Sequence, residues 1–236
     1  MATKAETVFA VIVAAGGGRR MGGVSKPLIK LGKETLFEYV LDAFRETEVI
    51  GVTVVCSDEN EKTLREIASG VGYPKEIVFA RGGETRAESV YNGVKACPKC
   101  DLICVHDCAR PFVTAGMIQD VIAAARETGV STACSPVTDT IKFVDEEHSV
   151  IYTPERKYLL AIQTPQCFRR ELFLPAYLLG KTKKQEFTDE SSLLEHAGNK
   201  VAYVRCDESN MKITTRSDMS IARAIRLIRE KENGTI

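Results

Sequence analysis

Residues 8–23 read VFAVIVAAGGGRRMGG, an apolar segment followed directly by a glycine-rich one. Its first part, Val8 to Ala14, is an apolar run rich in β-branched residues, which predicts a buried strand. Its second part is a glycine-rich loop, and glycines allow backbone N–H groups to close around a phosphate. Open α/β sheets bind their ligands where such a loop follows the first strand. The stretch therefore predicts an α/β protein with a phosphate site after its first strand.

This loop matches neither of the two common phosphate-binding templates. A dinucleotide fingerprint that begins at Gly16 requires glycine at position 21, where the chain has Met21. A Walker A loop that begins at Gly18 requires lysine at position 24, where the chain has Val24. Both templates are therefore excluded.

Two cations, Arg20 and Lys26, lie in the loop and just after it. Fixed cations beside bound phosphates stabilise negative charge that develops at a phosphoryl centre, which favours group transfer over storage of a nucleotide. The alternative is a loop with solvated basic side chains, and the residue types alone do not decide between the two. The position after the first strand favours the ligand site.

Further along the chain, short β-branched runs alternate with amphipathic helical stretches, which predicts a mainly parallel sheet covered by helices on both faces. One predicted strand, Leu102 to His106, places Asp107 at the ligand-binding edge of the sheet. From about residue 131 three β-like segments follow without a helix, and the polar turn at 145–148 predicts a hairpin. A further strand is predicted at 158–163. The hairpin has no core of its own, so it packs either on its own domain or on a second subunit.

The chain has 32 basic and 32 acidic residues, a formal net charge of zero and a pI of about 6.8. This balance argues against nucleic acid or an anionic membrane as a partner. The apolar run after Lys4 ends in glycines and arginines instead of a signal-peptide cleavage site, and no run of about 20 apolar residues follows. We therefore expect a cytoplasmic protein.

The eight cysteines include one pair with metal-ligand spacing, Cys97 and Cys100. A zinc ribbon needs a second such pair, and the chain has none. Reduced, unpaired thiols are the favoured interpretation, with structural zinc as the alternative, and a role for Cys97 and Cys100 is left open.

Six segments, in order along residues 8 to about 225, resemble one family of nucleotidyltransferases. They are AAGGGRRM at 14–21 with Lys26-Pro27, GGETRAESV at 82–90, VHDCARP at 105–111, TPQ at 164–166, TDE at 188–190 and NMKITT at 210–215. The chain is most similar to the cytidylyltransferases that act on 2-C-methyl-D-erythritol 4-phosphate in the non-mevalonate pathway of isoprenoid biosynthesis. This resemblance implies a Rossmann-like, three-layer nucleotidyltransferase fold. It also implies a single domain over residues 1–236, with a protruding β-hairpin arm at 138–157.

The resemblance also implies the reaction. Mg²⁺-dependent transfer of the cytidylyl group of CTP to 2-C-methyl-D-erythritol 4-phosphate would give 4-diphosphocytidyl-2-C-methyl-D-erythritol and pyrophosphate. One alternative acceptor is D-ribitol 5-phosphate, although enzymes of that type tend to carry valine where Ala109 stands. A second alternative is a nucleotide-binding protein without catalysis. The joint presence of the expected catalytic residues speaks against it.

The family pattern assigns a role to each matching residue. The catalytic cations would be Arg20, Lys26, Arg156 and Lys212. The nucleotide would be bound by Ala14, Ala15, Gly16, Gly18, Gly83, Glu84, Ser89 and Cys108. The polyol phosphate would be bound by Thr140, Arg156, Thr188 and Lys212. Asp107 would bind Mg²⁺, which needs only one or two carboxylates beside phosphate oxygens, and a second ligand is left open between Glu208 and none.

In similar enzymes the arm crosses into a partner subunit. The resemblance therefore implies a homodimer in which Arg156 completes the neighbouring site. His106, beside Asp107, is expected to be a core histidine, because the attacking phosphate is already ionised near neutral pH and needs no general base.

Overall fold

A computed structural model of the chain describes residues 6–16 and 24–232. The strands are β1 (Val8–Val13), β2 (Lys30–Leu31), β3 (Glu34–Thr35), β4 (Gly51–Cys56), β5 (Glu76–Arg81), β6 (Leu102–Asp107), β7 (Val130–Pro136), β8 (Phe143–Val144), β9 (Val150–Tyr152), β10 (Leu160–Arg169) and β11 (Ala202–Arg205). The helices are α1 (Leu36–Arg45), α2 (Glu61–Gly70), α3 (Arg86–Ala96), α4 (Ala115–Thr128), α5 (Arg170–Thr182), α6 (Glu190–His196) and α7 (Arg216–Glu232).

Seven of these strands form one sheet in the order β11-β7-β10-β6-β1-β4-β5. Its neighbouring strands are parallel except at β10, which is antiparallel to both β6 and β7. The mainly parallel α/β sheet predicted from the sequence is thereby confirmed. The carboxyl ends of β1, β4, β5 and β6 lie at one edge, and that edge carries the site.

Helices cover both faces of the sheet, because successive side chains of a strand point to opposite faces. Val8, Ala10 and Ile12 of β1 pack with apolar residues of α1, α2 and α4. Phe9 and Val11 pack on the other face with residues of α3, α5 and α6. The fold therefore has the three layers that the family resemblance implied.

Gly93 explains how closely α3 lies against the sheet. A Cβ atom at this position would be 2.6 Å from a methyl group of Val11 and 2.7 Å from one of Val55. Real Cβ atoms essentially never approach other atoms so closely, so the packing distance of α3 requires glycine. This contact places the start of α3, with Arg86, beside the site.

The predicted hairpin is formed by β8 and β9, with Phe143 opposite Tyr152 and their rings stacked at 5.2 Å. Its large side chains are more than half exposed: Phe143, Val144, Val150, Ile151 and Tyr152. A two-stranded ribbon without a core is marginally stable by itself. The single-domain organisation and the arm boundaries at 138 and 157 stay predictions.

The strand predicted at 158–163 differs from the observed one. Residues 156–158 form a 3-10 turn, and β10 begins at Leu160 and continues to Arg169. Pro165 and its polar neighbours weaken the strand pattern, and the register shifts between Ile162 and Gln166. The strand persists because β6 and β7 pair with it on both sides.

Candidate active site

The start of the glycine-rich loop is bonded to its neighbours at the sheet edge. The N–H of Ala14 donates to the carbonyl of Val55 at 2.8 Å, and the N–H of Cys108 donates to the carbonyl of Val13 at 3.1 Å. These two amides are therefore engaged within the sheet. Any contact of Ala14 or Cys108 with a nucleotide would use other atoms.

A pocket of about 230 Å³ lies beside this loop and joins two of the predicted nucleotide-binding segments. Its lining residues are Ala15, Ser57, Asp58, Glu59, Arg81, Gly82 and Gly83. A Cβ atom on Gly82 would be 2.5 Å from the Cβ of Ala15, so only glycine allows this approach. Ala15 and Gly83, which the family resemblance assigns to the nucleotide, thus line one pocket.

Ser89 holds Gly83, one of the residues that line this pocket. Its hydroxyl accepts from the N–H of Gly83 at 3.0 Å and donates to the carbonyl of Thr85 at 2.9 Å. The N–H of Glu84 donates to the carboxylate of Glu88 at 2.8 Å. These bonds hold residues 83–85 against the start of α3. Direct contacts of Ser89 and Glu84 with a nucleotide stay predictions.

Asn60, for which the sequence predicted no role, joins the two described ends of the glycine-rich loop. Its Nδ2 donates to the carbonyl of Ala14 at 3.0 Å and to the hydroxyl of Ser25 at 2.8 Å. Its Oδ1 accepts from the N–H of Ser57 at 2.9 Å. Asn60 is buried, so these partners hold it in one orientation. A polar residue just before a helix gave no sequence signal for this role.

A second pocket, of about 200 Å³, lies at the carboxyl end of β6. Its lining residues are Arg86, Asp107, Arg110, Ile162, Gln163, Thr164, Gln166, Thr188, Asp189 and Lys212. Asp107, Thr188 and Lys212, predicted from three distant segments, meet here. Arg86 and Arg110 were not assigned roles, although both stand inside segments that carry the resemblance.

Asp107 is the charged centre of this pocket. Its Oδ2 is 2.6 Å from Nζ of Lys212, and its Oδ1 is 3.0 Å from Nη2 of Arg86. Burial raises the pKa of the Asp107 carboxyl, but the charges of Arg86 and Lys212 more than offset burial and hold that pKa well below its usual range. The carboxylate is therefore ionised at neutral pH.

Lys212 is positioned by the loop that carries it. The side-chain amide of Asn210 donates to the carbonyl of Thr164 at 2.9 Å, and the N–H of Ile213 donates to the carbonyl of Ala109 at 2.8 Å. Arg110 Nη1 donates to the carbonyl of Asn210 at 2.9 Å. These bonds hold residues 210–213 against the carboxyl end of β6 and the middle of β10.

His106 lies behind Asp107 and is fully buried. Its Nε2 is 3.1 Å from the carbonyl of Arg110, so Nε2 carries the proton and donates it there. Its Nδ1 then accepts from the Thr164 hydroxyl at 3.1 Å, while that oxygen accepts from the N–H of Asp107 at 3.0 Å. Burial lowers the pKa of His106 to about 4. A neutral histidine with both nitrogens engaged fits the expected core role.

Several predicted residues do not line this pocket. Arg156 stands in the 3-10 turn Arg156–Tyr158 toward the end of the arm, where its Nη1 donates to the carbonyl of Thr138 at 2.5 Å, and Thr140 is exposed near the start of the arm. Glu208 is exposed on the loop before Asn210. Lys26 begins a 3-10 turn directly after the glycine-rich loop. Gly16 lies at the last described position before the gap, and Gly18 and Arg20 lie outside the described residues.

The donor set at Asp107 fits a magnesium ion that is shared with a substrate. The described part of the chain holds no cluster of three or more His, Cys, Asp or Glu side chains with metal-binding geometry. One ionised carboxylate is nevertheless sufficient for Mg²⁺ when phosphate oxygens and water supply the other ligands. Cys97 and Cys100 pack in the core near Thr53 and Arg170, away from this pocket.

The model of the 2-C-methyl-D-erythritol 4-phosphate cytidylyltransferase family matches residues 8–227. The chain belongs to this family. It is therefore a cytidylyltransferase. The reaction of the family is transfer of a cytidylyl group from CTP to 2-C-methyl-D-erythritol 4-phosphate, so membership of the family confirms the function expected from the sequence. The alternatives with D-ribitol 5-phosphate or without catalysis are not favoured.

Individual cytidylyltransferases of this family cover nearly all of the chain. That of Alkaliphilus oremlandii is 37% identical over 91% of this chain and 93% of its own length. That of Clostridioides difficile is 39% identical over 91% of this chain and 92% of its own. The crystal structure of 4-diphosphocytidyl-2C-methyl-D-erythritol synthase from Anaerococcus prevotii superimposes with a TM-score of 0.86 at 30% identity, covering 95% of this chain and 100% of that one.

Among residues 6–16 and 24–232, no helix is both long enough and apolar enough to cross a bilayer.

Proposed function

We propose that this cytidylyltransferase carries out its reaction in the pocket of Asp107 and Lys212, with the triphosphate of CTP on the glycine-rich loop and Mg²⁺ at Asp107. The observation that carries the proposal is the convergence of Asp107, Thr188 and Lys212 on one pocket. Two further cations, Arg86 and Arg110, line the same pocket, beside the carboxylates of Asp107 and Asp189.

The reaction then needs positioning and charge stabilisation more than proton transfer. The phosphate of the polyol attacks the α-phosphorus of CTP, a new P–O bond forms, and pyrophosphate leaves with the electrons of the broken bond. Asp107 would hold Mg²⁺, which would supply positive charge to the phosphate oxygens. Lys212 and Thr188 bind the polyol phosphate, and Arg20 and Lys26 stabilise the charge that develops at the α-phosphorus. Neutral His106 takes no proton.

The same proposal includes a homodimer formed through the arm. The exposed apolar side chains of β8 and β9 belong to no hydrophobic core within residues 6–16 and 24–232, which favours an interface with a second copy. Arg156 and Thr140, which do not line their own chain's pocket, reach the neighbouring one in such a dimer. The cytoplasmic location expected from the sequence remains a prediction.

One assay tests the reaction. Pyrophosphate release is measured with each nucleoside triphosphate against 2-C-methyl-D-erythritol 4-phosphate and D-ribitol 5-phosphate, with Mg²⁺ or with EDTA. We expect release only with CTP, methylerythritol phosphate and Mg²⁺ together. If D-ribitol 5-phosphate supports release and 2-C-methyl-D-erythritol 4-phosphate does not, the assigned acceptor is wrong. If release is undiminished in EDTA, the requirement for Mg²⁺ is wrong.

Residue roles are tested by Lys212→Ala and Asp107→Asn. Each removes a group at the reacting centre, and we expect turnover to fall by about 10²–10³-fold, the usual loss for one charge-stabilising group. Exposed Lys62→Ala on α2 serves as the matched control. Turnover near that of the wild type in Lys212→Ala would remove Lys212 from the reaction.

A further inference from the structure

Glu190 is a buried carboxylate for which the reaction described above has no use. It is the first residue of α6, and its side chain is 3% exposed. Its Oε1 accepts from Nη1 of Arg86 at 2.7 Å, and its Oε2 accepts from Nη2 at 3.1 Å. Desolvation consumes most of the attraction within a buried ion pair, so stability alone is a weak reason for this one.

The edge of the Arg86 guanidinium that faces away from Glu190 contacts Asp107. Nε and Nη2 lie 3.1 and 3.0 Å from Oδ1 of Asp107. Glu190 therefore holds one edge of the planar group while the other edge holds Asp107. Lysine cannot make this double contact, because its ammonium is a point charge on a flexible stem.

The two oxygens of Asp107 thus have different kinds of partner. Oδ1 is bound to Arg86, which Glu190 anchors from behind. Oδ2 is bound at 2.6 Å to Nζ of Lys212, whose side chain is 37% exposed toward the pocket. Oδ1 already accepts from two nitrogens of Arg86, so a divalent cation that enters from the pocket competes with the Lys212 ammonium for Oδ2. Lys212 can move away on its flexible stem, whereas Arg86 is held on both edges.

We infer that Arg86 and Glu190 are positioning residues that hold the Asp107 carboxylate by Oδ1 and present Oδ2 to a divalent cation. Lys212 occupies Oδ2 until the cation arrives. Glu190 balances the charge of Arg86, so that the guanidinium orients Asp107 without repelling the metal. This inference rests on the proposed binding of Mg²⁺ at Asp107.

The experiment measures metal binding apart from turnover. CTP binding is followed by calorimetry without the polyol phosphate, first in EDTA and then at increasing Mg²⁺, for the wild type, Arg86→Lys and Glu190→Gln. We expect the Mg²⁺ concentration that gives half of the gain in CTP affinity to rise about 10- to 100-fold in both variants, as for other residues that orient a metal ligand. CTP affinity in EDTA should stay within about two-fold of wild type, because neither variant changes the glycine-rich loop.

Turnover provides a second readout that a purely structural role would not move. If the variants only misplace Asp107, raising Mg²⁺ should restore most of their kcat. The controls are Arg65→Lys and Glu61→Gln. They introduce the same two substitutions into an exposed ion pair on α2, and this pair lines neither pocket. Both controls should match the wild type. If Glu190→Gln does not fold, Glu190→Asp takes its place beside Arg86→Lys.

The outcomes separate this inference from the proposed function. If the wild type gains no CTP affinity from Mg²⁺, the metal site at Asp107 is wrong and the inference falls with it. If the wild type gains affinity and the folded variants respond to Mg²⁺ as it does, only the inference is overturned. Equal losses of CTP affinity in EDTA and in Mg²⁺ would also overturn it, since they would place Arg86 and Glu190 in the nucleotide site itself.

Discussion

His106 shows how a single buried residue supports the site without taking part in the chemistry. Its ring is fixed by Thr164 on one nitrogen and by the carbonyl of Arg110 on the other. The same Thr164 hydroxyl accepts from the amide of Asp107. The orientation of the Asp107 backbone is therefore linked to the neutral form of His106.

A dependence of stability on pH follows from this arrangement. The pKa of His106 is about 4 in the folded chain, against about 6.5 for an unfolded histidine. Between these pH values the unfolded chain binds more protons than the folded chain. The contribution of His106 to the free energy of unfolding is therefore fully present above pH 6.5 and is lost as the pH falls toward 4, by up to about 3 kcal/mol. Urea unfolding of the ligand-free protein at several pH values measures this loss.

The matched variant for that measurement is His106→Gln, whose amide can still reach the Arg110 carbonyl but does not titrate. We expect its free energy of unfolding to depend less on pH than that of the wild type in this window. His148→Asn, in the exposed turn of the arm, is the control and should keep the wild-type dependence. Identical slopes for His106→Gln and the wild type would contradict the prediction.

At the scale of elements, the site depends on how strand ends and loops are tied together. β10 reaches the site from the direction opposite to its neighbours, and Gln163, Thr164 and Gln166 of that strand line the pocket of Asp107. Asn60 performs the corresponding task for the glycine-rich loop, by joining Ala14 at its start to Ser25 at its end.

Substitution of Asn60 tests this connection. Asn60→Ala removes both donors and leaves the Ala14 carbonyl without this partner, so we expect a loss of about 1–3 kcal/mol in the free energy of unfolding and weaker CTP binding. Asn60→Asp should be worse, because it places a carboxylate oxygen against that carbonyl. Ser25→Ala, which removes one partner only, should cost less. The expected order is contradicted if Asn60→Asp unfolds and binds CTP as the wild type does.

At the scale of the whole molecule, the arm separates residues that the family pattern assigns to one site. Arg156 and Thr140 belong to the arm, whereas Lys212 lies in the pocket of Asp107. In a dimer in which each arm reaches the neighbouring pocket, Arg156 and Thr140 of one chain lie beside Lys212 of the other. Such a dimer has sites composed of both chains, and this has a direct consequence for mixed variants.

We expect Arg156→Ala and Lys212→Ala to be nearly inactive as homodimers and to regain activity when mixed and allowed to exchange subunits. Each mixed dimer has one site with Arg156 from one chain and Lys212 from the other, so random pairing should restore about one quarter of wild-type activity. If mixing restores no activity although exchange is complete, Arg156 acts within its own chain.

The double variant Phe143→Glu with Val150→Glu places two carboxylates on the arm, and we expect it to sediment as a monomer.

The sequence alone was sufficient for the alternating β-α layout, the family and the segments around the site. These properties depend on local pattern: β-branched runs, helical periodicity and short motifs with their own residue types. Asp107 was found at the end of a predicted strand, whereas Thr188 and Lys212 were found only through the family resemblance of the motifs that contain them. Arg86 also stands in one, but nothing local distinguished it from a solvated basic residue at a helix start.

Tertiary structure alone decided how these segments combine. The antiparallel course of β10 through Pro165 depends on strands paired on both sides, and the roles of Asn60 and Glu190 depend on partners 46 and 104 residues away. Burial and ion pairing, which set the charge of Asp107 and the neutrality of His106, arise only when distant parts of the chain meet. The sequence thus determined which chemical groups are present, and the fold determined which of them face one another.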